Sequence, residues 1–241
     1  MRLDTALFER GLARSRTDAK ALITEGAVKV DGIQILKPSF ETTDNSVIEV
    51  QTEIRKYVSR GGLKLEAALD GFNIDPKERM CIDVGASSGG FTDCLLQRGA
   101  ASVTAVDSGS GQMVESLRAD SRVRVVENYN ARYIKQDDFD GLFSLAVMDV
   151  SFISATYIIE GLRSVLTEGA DFVCLVKPQF EVGRALVGKG GIVKDEKVRL
   201  SAVKKVIDFA ESNGFFALGY IKSPIKGGDG NTEFLVHFKA R

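Results

Sequence analysis

From residue 81 onward, seven apolar runs recur: CIDV, SVTAVD, RVRVV, FSLAVMD, DFVCLVK, FFALGYI and EFLVHF. Their spacing is that of a parallel sheet whose strands are joined by crossover helices. The last two runs are separated only by a loop containing Ser223, Pro224, Gly227 and Gly228. That loop is too short for a right-handed helical crossover, so these strands must pair antiparallel. The expected fold is α/β, with a seven-stranded, mostly parallel sheet whose last strand is antiparallel. At 241 residues the chain also has room for a second, smaller domain.

Up to about residue 55 the pattern differs. Leu3, Leu7, Leu12, Ala19, Leu22 and Ile23 fall near helical spacing, with Thr17 or Asp18 as a cap, which predicts two short helices. After Gly26, the runs VKVDG, QILKPSF and SVIEV read as small strands turned at Asp31-Gly32 and Asp44-Asn45. Arg10, Arg14, Arg16 and Lys20 make a charged helical face, and Lys29 follows on a strand. RKYVSRGGLK, residues 55–64, holds four basic residues, no acid and a Gly-Gly pair, and reads as an interdomain joint. The expected division is a small α+β domain over 1–55, a basic Gly-Gly linker over 56–63 and the α/β domain over 64–241.

Acids and bases nearly balance, giving a net charge of −1, so only a concentrated basic face would attract nucleic acid. Cys81, Cys94 and Cys174 are odd in number and lie in apolar runs, which suits reduced core thiols in a cytoplasmic protein rather than disulfides or a metal site. No signal peptide is visible, and LFSLAVMDVSFI is too short to span a bilayer and is broken by Asp149. No metal and no membrane anchor are expected.

In residues 81–91, CIDVGASSGGF, an apolar strand runs into Asp83 and the turn Gly85, Ala86, Ser87, Ser88, Gly89 and Gly90, ending at Phe91. Such a strand–turn–helix unit can seat a nucleotide-like cofactor, since glycines let backbone approach a ligand and the helix offers free N–H groups. It is not the dinucleotide fingerprint, whose Gly-x-Gly-x-x-Gly spacing is absent. An acid just before the first glycine suits S-adenosylmethionine; the alternative is a tight turn in a non-binding domain. Ser87 or Ser88 is expected to cap the helix and Gly99 to stop it. Asp107 ends the second run where a carboxylate would meet ribose hydroxyls. Glu127-Asn128-Tyr129-Asn130 is polar at the height of an adenine edge.

Asp149 and Lys177 end the fourth and fifth strands, and Glu233 begins the last. Lys64 opens the helical pattern LKLEAAL. Singly, Lys177, Glu233 and Lys64 each have an ordinary reading: a snorkelling lysine stopped by Pro178, edge-strand alternation, a solvated helix start. His237 in LVHF reads as a sheet residue without a catalytic role. The loop over 183–194, with Arg184, Lys189 and Lys194, reads as a flexible basic flap near Lys177.

RLDTALFERGLARSRTDAKALITEGAVKVDG resembles the small RNA-binding domain of a small-subunit ribosomal protein and of pseudouridine synthases. In chain order Lys64, Asp149, Lys177 and Glu233 resemble the Lys-Asp-Lys-Glu tetrad of the FtsJ-like ribose 2′-O-methyltransferases. Through SRGGLKLEAAL, DVGASSGGFTDCLLQRGA, MDVSFIS, VKPQFE, GKGGIVKD and SPIKGGDGNTEF, nearly the whole chain resembles the TlyA family, often labelled hemolysins. The resemblance implies a Rossmann-like class I methyltransferase domain in which those four residues are catalytic. It implies S-adenosylmethionine held by Asp83, Gly85, Ala86, Ser87, Gly89, Gly90, Phe91, Asp107, Asn130 and Asp149. It implies methylation of a cytidine ribose in ribosomal RNA or ribosomal subunits, without a membrane or an obligate protein partner. Arg10, Arg14, Arg16, Lys20, Lys29, Arg60, Arg184 and Lys189 would contact the RNA. Ser87-Ser88 departs from FtsJ proper, which carries a proline before the paired glycines. Rival readings are base amino-methylation, for which Asp149-Val150-Ser151-Phe152 lacks the prolines of an Asp-Pro-Pro-Phe motif, a pore-forming hemolysin, and an inactive RNA-binding chaperone.

Overall fold

Leucines three and four residues apart give the first helices a single apolar stripe, and the amino-terminal elements close around it. A computed structural model describes residues 1–13, 16–24, 26–50, 56–227 and 230–241. The chain divides into two compact units, Met1–Arg55 and Lys56–Arg241. In the first, α1 (Leu3–Glu9) and α2 (Arg16–Thr24) pack on a sheet of β1 (Val28–Val30), β2 (Ile33–Gln34) and β3 (Ile48–Val50), in the antiparallel order β2-β1-β3. Leu3, Leu7, Ala19, Leu22, Ile23, Val28 and Val30 form its core. Leu12, expected on that stripe, is 38% exposed. Thr17 and Asp18 lie inside α2, so neither is its cap.

Asp31 and Gly32 both take positive φ, 51° and 79°, the turn whose twist matches an antiparallel pair. Of QILKPSF, only Gln34 lies in a strand. The Ile35 N–H still reaches the Val28 carbonyl on β1 at 3.0 Å, and two carbonyls further on serve α1, whose first N–H groups have no partner inside the helix: Leu3 donates to the Phe40 carbonyl at 2.8 Å and Asp4 to that of Pro38 at 3.1 Å.

The second unit runs α3 (Gly61–Phe72), β4 (Met80–Val84), α4 (Gly90–Gln97), β5 (Ser102–Val106), α5 (Glu115–Arg118), β6 (Val123–Val126), β7 (Phe143–Met148), α6 (Thr156–Ser164), β8 (Leu166–Val176), α7 (Pro178–Glu181), α8 (Glu196–Ser212), β9 (Phe215–Lys222) and β10 (Phe234–Ala240). The seven strands lie in the order β6-β5-β4-β7-β8-β10-β9. β6, β5, β4, β7 and β8 pair in parallel, and β10 is antiparallel to both β8 and β9. One face packs on α6 and α8 through Ile158, Ile159, Leu162, Val203 and Val206. The other packs on α3 and α4 through Leu65, Leu69, Cys94 and Leu95. Strand order reverses between β4 and β7, so a crevice opens at their carboxyl ends, where open α/β sheets bind ligands.

Residues 56–63, expected as a linker, lie in the second unit. Tyr57 is buried, and the Val58 N–H donates to Asp93 Oδ2 at 2.7 Å. The glycine pair serves packing: a Cβ on Gly62 would stand 2.3 Å from the Tyr57 ring. His237 is a sheet residue as its alternation predicts, with Nε2 2.7 Å from Asp171 Oδ1. All three cysteines are free and buried, and burial pushes the Cys81 and Cys94 thiols up to about 12.

Candidate active site

The glycine-rich turn is wedged between the ends of β5 and β7. Gly85 (φ +86°) and Ala86 both donate N–H bonds to the Val106 carbonyl, at 2.8 and 3.1 Å. A Cβ on Gly85 would stand 2.4 Å from the Asp149 carbonyl oxygen, so both the dihedral and the close approach demand glycine. The turn is tied to β5 from below by Asp107, whose carboxylate accepts the N–H of Ser87 at 2.8 Å and that of Gly109 at 2.7 Å. Neither serine caps the following helix. Gly89, at φ 98°, is the N-cap residue of α4 and no side chain caps it, because the chain enters the helix through a left-handed residue. Gly99 ends the helix as expected, at φ +84°, with the Ala100 N–H returning to the Leu95 carbonyl at 3.0 Å.

Two expected cofactor contacts sit differently. Phe91 packs its ring in the core at 3% exposure, leaving only backbone to face a ligand. Asp83 is fully buried beneath the turn, where Oδ2 accepts from Thr92 Oγ1 at 2.7 Å and Oδ1 has no partner. Burial pushes this carboxyl up to about 7, and the charges of Asp149 and Asp107 add to that shift against the Thr92 bond. Thr92, nine residues beyond Asp83, carries no local signal of this contact.

The raised carboxyl has a testable sign. An unfolded aspartate titrates near about 3.9, so between that pH and about 7 the folded state holds a proton the unfolded state has lost. Its contribution to stability is present below the unfolded value and fades as pH rises through the folded one. Relative to Asp83→Asn, the parent is expected to lose roughly 2–3 kcal/mol between pH 5 and 7, at about 1.4 kcal/mol per unit. Urea unfolding of both proteins across that range measures it, and parallel curves would contradict it.

The tetrad gathers as two lysine–carboxylate pairs. Lys64, in the first turns of α3, donates to Glu233 Oε2 at 2.6 Å, with side chains 11% and 2% exposed. Lys177 Nζ lies 2.5 Å from Asp149 Oδ1 while its aligned hydrogen bond goes to Ser151 Oγ at 2.6 Å. Phe234 pairs with Val176 across β10 and β8, so the next positions outward are Glu233 and Lys177, and both ion pairs share one sheet edge. Each lysine thus has a carboxylate partner, Glu233 for Lys64 and Asp149 for Lys177.

Sequence reasoning missed Ser151 and Phe152 as site residues, although both stand in the quoted MDVSFIS. Phe152 is 91% exposed, takes φ +65° and has its ring centroid 5.3 Å from that of Phe180. An aromatic held left-handed costs on the order of 1–3 kcal/mol and persists only where surroundings impose it. No pattern of residue types announces such a dihedral.

The remaining candidates are scattered. Asn130 is exposed, and its Oδ1 accepts the Arg132 N–H at 3.1 Å. In the first unit Arg10 spends its guanidinium on the carbonyls of Thr43, Asp44 and Ser46, at 2.9, 3.2 and 2.8 Å. Arg16 and Lys20 are exposed on α2, Lys29 is half-buried on β1, and Arg14 lies outside the described residues. In the second unit Arg60 donates to the Lys226 carbonyl at 3.1 Å, and Arg184 and Lys189 stand exposed on 3₁₀ turns. The loop expected as a flexible flap is pinned: buried Asn231 accepts the Val193 N–H at 3.0 Å and donates to the Gly191 carbonyl at 2.9 Å. Among the described residues no cluster suits a metal, and no helix is long and apolar enough to cross a membrane.

The FtsJ-like methyltransferase family profile matches residues 57–240, and the S4 domain profile matches residues 1–48. A Mycobacterium tuberculosis protein named 16S/23S rRNA (cytidine-2′-O)-methyltransferase TlyA is 44% identical over all of this chain and 90% of its own length. A solved Streptococcus thermophilus structure labelled a hemolysin is 44% identical, covers 100% of this chain and 88% of its own, and superposes with a TM-score of 0.80. An S-adenosylmethionine-dependent methyltransferase of Mesorhizobium loti shares only the fold, at 14% identity over 71% of this chain and 95% of its own, with a TM-score of 0.53. With both domains matched and such identity over its full length, the chain belongs to the TlyA family of FtsJ-like methyltransferases.

Proposed function

We propose that the protein transfers a methyl group from S-adenosylmethionine to a ribose 2′-hydroxyl of ribosomal RNA. The observation that carries this reading is the pair of lysine–carboxylate contacts, Lys64–Glu233 and Lys177–Asp149, at one sheet edge beside the glycine-rich turn. Cytidine as the target rests on the name of the M. tuberculosis relative. The S4 match over residues 1–48 supports assigning residues 1–55 to RNA docking through Arg16, Lys20 and Lys29, and the α/β domain to chemistry.

The residues at the turn fit the cofactor. Gly85 lets the turn pack directly on the Asp149 carbonyl, which fixes the turn's backbone at the carboxyl ends of β4 and β7. Asp83 lies buried beneath it with one carboxyl oxygen unpartnered, free to accept or share a proton with a ligand's polar group. Asp107 keeps lone pairs beyond the two it gives to Ser87 and Gly109, enough for ribose hydroxyls. When bound, S-adenosylmethionine supplies an electrophilic methyl on a sulfonium. A ribose hydroxyl is a weak nucleophile at neutral pH, so its proton must be withdrawn or its developing charge met. Lys177 Nζ, steered by Asp149 and Ser151, is the group for that task, and Glu233 fixes Lys64 at the same sheet edge. General-base help of this kind is worth about 10²- to 10⁴-fold, with alignment of the hydroxyl supplying much of the rest.

The test is alkaline digestion of ribosomal RNA methylated by the purified protein. A 2′-O-methyl group removes the internal nucleophile for cleavage, so one phosphodiester bond is expected to resist. Complete cleavage of RNA that has accepted a labelled methyl would overturn the ribose reading in favour of base methylation.

A further inference from the structure

Glu181 plays no part in the chemistry above, yet its side chain is only 2% exposed. Charge is buried in a fold only where partners compensate it. Its partners come from outside its own turn: Ser154 Oγ donates to Oε2 at 2.5 Å, the Ala155 N–H to Oε1 at 2.7 Å, and Lys205 Nζ on α8 to Oε2 at 3.2 Å. Ala155 is the N-cap residue of α6, and no side chain of its own caps that helix. The carboxylate therefore stands where the helix's unpaired N–H groups and dipole favour negative charge. It arrives from α7, which follows Lys177 directly.

This places a bridge between the two loops that bear the site. The strap over 149–155 carries Asp149, Ser151 and Phe152, and the turn after β8 carries Lys177. Glu181 ties the far end of the strap to that turn, and the Phe152–Phe180 ring contact ties its middle. Phe152 is otherwise exposed and left-handed, a conformation that needs fixed flanking residues. We infer that Glu181 is a positioning residue: it holds the 151–155 strap, and with it Ser151 and Phe152, in register with Lys177. The inference rests on the methyl-transfer reading for its effect on rate.

Two readouts separate the inference from that reading. In single-turnover transfer to ribosomal RNA with both substrates saturating, Glu181→Ala is expected to be about 10- to 100-fold slower, the size of effect a small misplacement produces. Its affinity for S-adenosylmethionine, measured calorimetrically, should stay within about twofold of the parent. The second readout needs no activity. The chain contains no tryptophan, so a Phe152→Trp substitution gives a lone fluorophore on the strap, and its anisotropy is expected to fall when Glu181→Ala is added. If Glu181→Ala does not fold, Glu181→Gln carries both measurements; it keeps one acceptor oxygen, loses the other to an NH2 donor, and should lie between parent and alanine variant. A rate within about twofold of the parent, or an unchanged anisotropy, would overturn the inference. An inactive parent would count against methyl transfer to RNA and leave the clamp to the anisotropy alone.

Discussion

Lys177→Ala is expected to slow methyl transfer by at least about 10²- to 10⁴-fold, the range for losing a positioned proton-transfer group. Its affinity for S-adenosylmethionine should barely change, because the glycine-rich turn and Asp107 are braced by backbone contacts that do not involve Lys177. The split between rate and binding is the diagnostic, since a damaged fold would lose both. A second variant resolves what the lysine does. Lys177→Arg keeps positive charge beside Asp149 but a guanidinium does not give up its proton in this pH range. Partial activity in Lys177→Arg with a flat pH–rate profile would assign Lys177 to stabilising the developing oxyanion. Activity as low as that of Lys177→Ala would assign it to accepting the proton. Full turnover in Lys177→Ala, measured with radiolabelled cofactor, would remove Lys177 from the chemistry.

Glu233→Ala is expected to destabilise the second unit by about 3–5 kcal/mol, the effect of stripping one member from a buried ion pair. The size follows from burial: Lys64 and Glu233 side chains are 11% and 2% exposed, so the remaining ammonium has little access to water. Replacing both with apolar residues of similar volume, Lys64→Met with Glu233→Leu, should recover most of that loss, because an apolar pair needs no compensation for desolvation. Both forms should be inactive. The double variant would then be a folded, inactive enzyme, evidence that the pair is kept for chemistry rather than for stability. Urea unfolding followed by circular dichroism measures it. A loss below about 1 kcal/mol for Glu233→Ala, the range of exposed pairs, would show that water reaches Lys64 in solution.

The residue pattern carried the architecture of the second unit because parallel strands buried on both faces leave continuous apolar runs, and charged residues can stand only where those runs end. Asp107, Asp149 and Lys177 were placed on the sheet's carboxyl edge by that rule alone, and the structure has each directly after its strand. The antiparallel β10 followed from a loop too short for a crossover. Where the pattern misled, local chemistry had two uses. The Gly-Gly pair of residues 55–64 read as part of an interdomain joint, and Gly62 is small because the Tyr57 ring lies against it. The serines of the turn read as caps, but the chain enters α4 in a left-handed conformation at Gly89, beyond both. QILKPSF read as a strand, but only Gln34 lies in one, and the Pro38 and Phe40 carbonyls serve α1 instead.

The sequence by itself determined which residues reach the edge of the sheet, since that depends on strand length and polarity along one chain. Only the tertiary structure decided who meets whom there. That Lys64 pairs with Glu233 and Lys177 with Asp149, that Asp83 lies under the turn against Thr92, and that Glu181 caps a helix from another loop are contacts across 169, 28, 9 and 26 residues respectively. Such contacts are fixed by how helices pack on the sheet and by the loss of water around buried charge, and neither is written in the spacing of residues along the chain.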